Sequence, residues 1–279
     1  MVQLLNHPKT AVDLSLQNGS VFKTFQILEQ FTRKNPQLTL NEIASRAEIN
    51  RSTTFRFLNS LRSLGIVERS EEGHYKLGMR LFELGILVDV NQSISEKAQP
   101  FLRELSNDMQ ESSCLVIRDR VDVLCLVNEE SVQSIRIDFP VGSRNPMYCT
   151  ATGKAILAFM DEEFIDLYCD ITELKSRTSH TITSAAKLRR ELEDVRGSLV
   201  SYNVEEFADD VFCVGTPVFD INEYPVAAIS LSGLKSRMIN QKAIISEAVL
   251  HAGQSITREI GGRYPDREST KQDITMNVN

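Results

Sequence analysis

Apolar residues recur at helical spacing through Leu40, Ile43, Ala44 and Ala47. After a break at Glu48-Ile49-Asn50 they resume through Phe57 (or Thr54), Leu58, Leu61 and Leu64. Two short amphipathic helices joined by a tight turn are predicted, with Thr39 placed to cap the first and Gly65 to end the second. A two-stranded ribbon then follows, Ile66-Val67-Glu68-Arg69 against His74-Tyr75-Lys76-Leu77, folded around Glu71-Glu72-Gly73. Upstream, a helix opening at Ser20 offers Val21, Phe25, Leu28 and Phe31 for packing beneath this unit. Downstream, an amphipathic helix begins at Gly78 and runs through MRLFELGILVDVNQSI. Its apolar side (Met79, Leu81, Phe82, Leu84, Ile86, Leu87) is wider than a connector needs, which predicts both packing on the next domain and a helical dimer seam.

A second long helix is expected over Glu96 to Glu111, and from Cys114 the rhythm changes to strands. Cys114–Ile117 and Val121–Val127 read as a hairpin around Arg118-Asp119-Arg120, and Ile135-Arg136-Ile137 alternates as a third strand. Helices are predicted over Thr152–Phe159, Glu162–Tyr168 and Ala185–Arg196. Late strands follow at Phe212–Phe219 and Pro225–Ser232, then a last helix from about Asn240 to Ile260. Strands mixed with long helices, without regular βαβ alternation, predict an α+β body with an antiparallel sheet. The expected divisions are a flexible N-terminus (1–17), a winged helix-turn-helix domain (18–80), a linker helix (81–95), the α+β body (96–262) and a disordered polar tail (263–279).

Composition adjusts this picture in three places. With 279 residues, 42% hydrophobic and 25% charged, the chain has the make-up of a soluble globular protein of one large or two ordinary domains. No apolar run approaches the roughly 20 residues of a membrane span, and the start lacks the basic and apolar regions of a signal peptide. Five Cys without a C-x-x-C fit a reducing cytoplasm better than a disulfide framework. The formal net charge of −7 argues against nucleic acid, but its distribution reverses that inference. Residues 18–80 hold ten Lys/Arg against six acids, a basic head on an acidic body. The excess is small, so tight binding calls for two heads per complex.

The residues at the leading turn of the second helix, Arg51, Ser52 and Thr53 with Phe55 and Arg56, lie off its core stripe. In a major groove such side chains reach phosphates and base edges: Arg bridges guanine O6/N7 or clamps a phosphate, and hydroxyls do either. Thr39 and Asn41 at the start of the preceding helix, and Arg69, His74 and Lys76 on the ribbon, suit backbone phosphates. The alternative is that these are solvated residues on a small domain.

With both halves laid out, the chain resembles the IclR family of transcriptional regulators over roughly residues 20–262. The resemblance rests on LTLNEIASRAEINRSTTFRFLNSLRSLGIVER and YKLGMRLFELG in the head. In the body it rests on VGSRNPMYCTATGKAILA, on EEF followed by CVGTPVFD, and on VAAISLSG. It implies a winged-helix head, a linker helix and a GAF-like effector-binding domain, assembled as a dimer or a dimer of dimers on double-stranded operator DNA of pseudo-palindromic form. Repression of a catabolic operon is the commoner mode in the family, and activators exist. The effector implied is a small organic acid, with a lean towards sugar acids. The pocket implied is lined by Ile137, Met147, Thr150, Ala151, Thr152 and Gly153, with Cys213, Ser230 and Ser232 opposite and Asn203 nearby. A helix N-terminus over Thr150–Gly153 favours an anion, and Ser230 and Ser232, two apart on a strand, share a face. Two departures stand out: Glu48 where the family commonly has Gly in the helix-helix turn, and Leu199-Val200 where a Gly-aromatic pair is common.

Other chemistries find less support. Lys154 reads as a carboxylate clamp or as a solvated helix lysine. Glu205-Glu206, adjacent on a strand, point to opposite faces and make a poor acid/base dyad. Cys149, Cys169 and Cys213 read as buried packing or as a thiol sensor, and a Cys149–His180 nucleophilic pair rests on residue type alone. No G-x-S-x-G, H-E-x-x-H or Walker A motif is present, and the four His have no ligand spacing. The expectation is therefore a regulator with neither metal nor cofactor, the alternatives being an activator of the same type, a redox-sensing regulator and, last, a GAF-like enzyme.

Overall fold

The computed structural model describes residues 18–32, 35–87 and 92–265. The chain divides into two compact units, Met1–Val90 and Asn91–Asn279.

The first unit contains α1 (Gly19–Leu28), α2 (Leu40–Arg46), α3 (Arg51–Ser63), β1 (Val67–Arg69), β2 (Tyr75–Leu77) and α4 (Met79–Ile86). Thr39 caps α2 in a reciprocal box: its hydroxyl accepts from the Glu42 N–H, and the Glu42 carboxylate accepts the Thr39 N–H at 2.7 Å. Asn50 caps α3 by accepting from the Thr53 N–H at 2.8 Å. The turn between them passes through Glu48 at φ 54°, a left-handed conformation that favours Gly. The core gathers Ile27, Phe31, Leu38, Ile43, Leu58, Leu61, Val67 and Tyr75.

Two expectations about this core are corrected. Val21 and Phe25 are exposed, because α1 turns Ile27 inward, with Phe31 buried just beyond its end. Leu64 is also exposed; it sits at the C-cap where α3 stops, while Thr54 is buried with its hydroxyl bonded to the Asn50 carbonyl. The ribbon is antiparallel, pairing Val67 with Leu77 and Arg69 with Tyr75, and turns at Gly73. Its exit folds back on the end of α3 so tightly that a Cβ on Gly78 would meet the Gly65 carbonyl oxygen at 2.2 Å.

The second unit contains α5 (Gln92–Met109), β3 (Ser112–Asp119), β4 (Asp122–Glu129), β5 (Arg144–Pro146), α6 (Ala151–Leu157), α7 (Glu162–Ile171) and α8 (Ala185–Ser198). It continues with β6 (Ser201–Val204), β7 (Val211–Phe219), β8 (Pro225–Leu234), α9 (Lys235–Met238) and α10 (Lys242–Glu259). One antiparallel sheet of order β5-β4-β3-β8-β7-β6 is buried on both faces. Alternate residues explain this: Leu115, Phe212, Val214, Ile229 and Leu231 pack against α5 and α10, while Cys114, Val116, Val123 and Cys125 pack against α6, α7 and α8. Gly215 lets α6 lie close on β7, since a Cβ there would meet the Ala151 carbonyl carbon at 3.0 Å.

Further corrections follow. Residues 135–137 form no strand; the place beside β4 is taken by β5, and Ile135 is exposed on the preceding loop. The helix expected to continue from Gly78 ends at Ile86, and α5 already begins at Gln92; residues 88–91 lie outside the described ones. Arg263 and Tyr264, expected to belong to the disordered tail, pack on the second unit. The Arg263 N–H donates to Asp220 O, and Tyr264 packs edge-on against Phe219. Residues 1–17 and 266–279, expected to be flexible, lie outside the described residues.

Candidate functional site

In the first unit the start of α2, the start of α3 and the ribbon border one open concavity of about 870 Å³. Six of the ten residues singled out for DNA line it: Thr39, Asn41, Arg51, Ser52, Phe55 and Arg69. Arg51 and Ser52 are exposed because the stripe of Thr54, Leu58 and Leu61 is turned to the core. The Ser52 hydroxyl donates to the capping Asn50 side chain at 2.9 Å. Arg69 lies over the Tyr75 ring at 5.5 Å, held against the base of the ribbon by a cation–π contact.

Thr53, Arg56, His74 and Lys76 lie outside this concavity. One of them is also partly neutralised, and another has an acid nearby. Lys76 pairs across the ribbon with Glu68 at 2.9 Å, and His74 stands 4.0 Å from Glu72. Lys76 thereby holds the Glu68 carboxyl below its ordinary range. Sequence reading gave Lys76 to phosphate without registering that the ribbon pairing supplies its counter-charge.

In the second unit a cavity of about 290 Å³ opens between the start of α6 and the sheet. Eight of the ten residues expected at an effector pocket line it: Ile137, Thr150, Ala151, Thr152, Asn203, Cys213, Ser230 and Ser232. Ser230 and Ser232 face it from β8, paired in register with Cys114 on β3 and Cys213 on β7. Thr150 is largely occupied as a helix cap, donating to Pro146 O at 2.8 Å and accepting from the Gly153 N–H at 3.2 Å. The Asn203 carbonyl oxygen accepts from the Glu206 and Phe207 N–H groups, so this side chain shapes the turn after β6.

Met147 and Gly153 are not brought to the cavity. Met147 is fully buried in the core beneath α6. A Cβ on Gly153 would meet Met147 Cα at 2.3 Å and Met147 O at 2.4 Å, so this glycine admits the chain's own backbone rather than a ligand. Sequence reading missed Arg136, Asp138, Phe139, Asn145, Phe207 and Val211, which also line the cavity. Treating 135–137 as a regular strand hid the loop that carries the first three.

Lys154 is neither clamp nor solvated residue. It is fully buried, with Nζ 2.5 Å from Glu206 Oε1 and 2.8 Å from Glu191 Oε1. Burial pushes the Glu206 carboxyl up against the pull of Lys154, and its Oε2 has no hydrogen-bond partner. Glu205 turns the other way, to Lys235 and His180. His180, engaged there, is exposed, whereas Cys149 is buried and its thiol is pushed up to about 11.

The thiols around the cavity are separated by the sheet itself. β8 lies between the strands bearing Cys114 and Cys213, placing them two strand spacings apart, about 9–10 Å. That exceeds the roughly 7 Å Cα limit for a disulfide. Burial pushes Cys114 up to about 11 and Cys213 to about 12, far from thiolate reactivity. Among the described residues no cluster of His, Cys, Asp or Glu is arranged to hold a metal, and no helix is long and apolar enough to cross a membrane.

Comparison with known proteins agrees with this two-part layout. Residues 20–71 match the IclR helix-turn-helix domain, and residues 88–258 match the bacterial transcriptional regulator IclR C-terminal domain. The chain is 32% identical over 248 residues to the HTH-type transcriptional regulator KipR of Bacillus subtilis (strain 168), covering 88% of this chain and 98% of that protein. It is 28% identical over 250 residues to the transcriptional repressor IclR of Escherichia coli (strain K12), covering 88% and 91%. The crystal structure of the Thermotoga maritima IclR superposes with a TM-score of 0.75 at 31% identity, covering 87% of this chain and 99% of that one. A capped helix-turn-helix with its wing, an antiparallel sheet covered on both faces, and matches that span both units together establish that this chain belongs to the IclR family of transcriptional regulators.

Proposed function

We propose that the chain represses a catabolic operon and that a small carboxylate, such as a sugar acid, relieves the repression from the cavity of the second unit. The observation that carries this reading is the cavity itself. Hydroxyl and amide side chains (Thr152, Asn145, Asn203, Ser230, Ser232) converge in it with apolar walls from Ile137, Phe139 and Val211, in a unit separate from the one that bears the winged helix. A few placed polar groups in an apolar cleft are the usual make-up of a small-molecule site. That two relatives are named repressors supports the sign of control.

In this reading Arg51, Ser52, Thr53, Phe55 and Arg56 face the major groove. Thr39, Asn41, Arg69, His74 and Lys76 meet the phosphate backbone. Exposed apolar side chains on α1 (Val21, Phe22, Phe25) and around α4 (Met79, Phe82, Leu84, Leu87) support assembly as a dimer or a dimer of dimers. Two heads then read a pseudo-palindromic operator. Ligand action requires that the carboxylate bind two arrangements of the assembly with different affinity.

Gel shifts on the DNA upstream of the chain's own gene and its neighbours, with and without a panel of small acids, test this. Release by an acid at unchanged salt is expected. Tighter binding with acid points to the activator reading, and indifference to every acid removes the effector role.

A further inference from the structure

Building on the effector reading just given, we infer that Arg136 recognises the effector's carboxylate and that the effector is a monoanion. Among the described residues lining the cavity, Arg136 is the one cation and Asp138 the one anion. Arg136 Nε–H donates to Asp138 Oδ2 at 2.8 Å, and Nη2 donates to Glu130 Oε2 at 2.7 Å. Asp138 is held in turn by the Ser112 hydroxyl, which donates to its Oδ1 at 3.3 Å. A guanidinium carries five N–H donors in a planar fork, and among the described residues Nη1 has no hydrogen-bond partner. The two acids thus fix the side chain without exhausting it, so little freedom is lost when a carboxylate arrives.

The charge pattern also limits what fits. Asp138 remains in the wall, so a second carboxylate on the ligand meets a like charge and finds no further cation. The next cation in that region, Lys154, is sealed beneath the cavity and already matched by Glu191 and Glu206. Asn145, Asn203, Ser230 and Ser232 are neutral, which suits hydroxyls or a carbonyl on the body of the ligand. A hydroxylated monocarboxylate matches the one cation and the neutral polar groups of the wall. A dicarboxylate does not.

The test uses the full chain and two series matched in length: glycerol, glycerate and tartronate, then glucose, gluconate and glucarate. Calorimetric titration is expected to show the monoacid of at least one series binding ten-fold or more tightly than its neutral and diacid partners. Arg136→Gln should lose at least ten-fold for that monoacid, Arg136→Lys should lose less, and Asp138→Asn should narrow the gap between monoacid and diacid. Wild-type affinity in Arg136→Gln overturns the assignment of Arg136 and leaves the effector reading standing. A diacid bound more tightly than its monoacid overturns the monoanion. Failure of the wild-type chain to bind any acid in either series overturns the effector reading and this inference together. Should Arg136→Gln lower the melting temperature, the Arg136→Lys and Asp138→Asn comparisons still decide.

Discussion

Replacing Gly153 by Ala is expected to unsettle the floor of the cavity by steric force alone. The new methyl would stand 2.3 Å from Met147 Cα, 2.4 Å from Met147 O and 2.5 Å from Thr150 Oγ1. The first two are backbone atoms, so no side-chain rotation relieves the clash. Overpacking of this kind costs about 1–3 kcal/mol. Displacing Thr150 also forfeits its cap on the Gly153 N–H, about 1 kcal/mol more. The sum, about 2–4 kcal/mol, corresponds to a melting temperature lower by about 4–16 °C for a domain of this size. Gly197 provides the control, since it lies within α8 with nothing within 4 Å of its would-be Cβ. Gly197→Ala should stabilise by about 0.4–1 kcal/mol. Differential scanning calorimetry of both variants decides the matter. A Gly153→Ala protein that melts with the wild type would refute the packing described for α6.

Arg51→Ala is expected to weaken specific DNA binding by about 1–3 kcal/mol if Arg51 reads a base, with an unchanged melting temperature, checked by gel shift and calorimetry. Lys154→Met strands the buried Glu206 charge and should cost about 3–5 kcal/mol of stability, much of it recovered in Lys154→Met/Glu206→Leu; denaturant unfolding measures both. Cys114 and Cys213 should resist iodoacetamide in the folded chain at pH 7, with ligand response indifferent to reductant; rapid native alkylation read by mass spectrometry would revive the redox alternative.

The head was legible in the sequence because its elements are local. A capping box, an Asn cap, an apolar stripe and a Gly-containing turn each lie within a few residues of one another, so periodicity and turn chemistry locate them. What periodicity could not supply was which side of α1 packs. Val21 and Phe25 lie on a helix with apolar residues on more than one face, and only tertiary contact selects Ile27 in their place.

In the body, Ser230 and Ser232 came from the resemblance to the family, and their two-residue spacing on a strand added only that they share a face. Arg136, Asp138 and Asn145 were hidden because they belong to a loop and a short edge strand placed by long-range pairing. Lys154 shows the same limit: its partners Glu191 and Glu206 are 37 and 52 residues away, so nothing nearby announces a buried ion pair. Glu48 and Leu199, two positions where glycine is common in the family, both take left-handed backbone at φ 54° and 61°. Both residues thus hold a conformation that glycine adopts at no steric cost, at an expected cost of about 1–2 kcal/mol each.

The central claim, that one unit reads DNA and the cavity of the other governs it, is tested most directly by fluorescence anisotropy on upstream DNA with the wild type, Arg51→Ala and Ser230→Ala side by side. The account predicts that Arg51→Ala loses specific binding with or without acid. It predicts that Ser230→Ala binds DNA as the wild type does but needs roughly 2- to 12-fold more of the releasing acid, the loss of one hydrogen bond to a neutral group of the ligand. Release of Ser230→Ala at the wild-type acid concentration, or specific binding retained by Arg51→Ala, would contradict it.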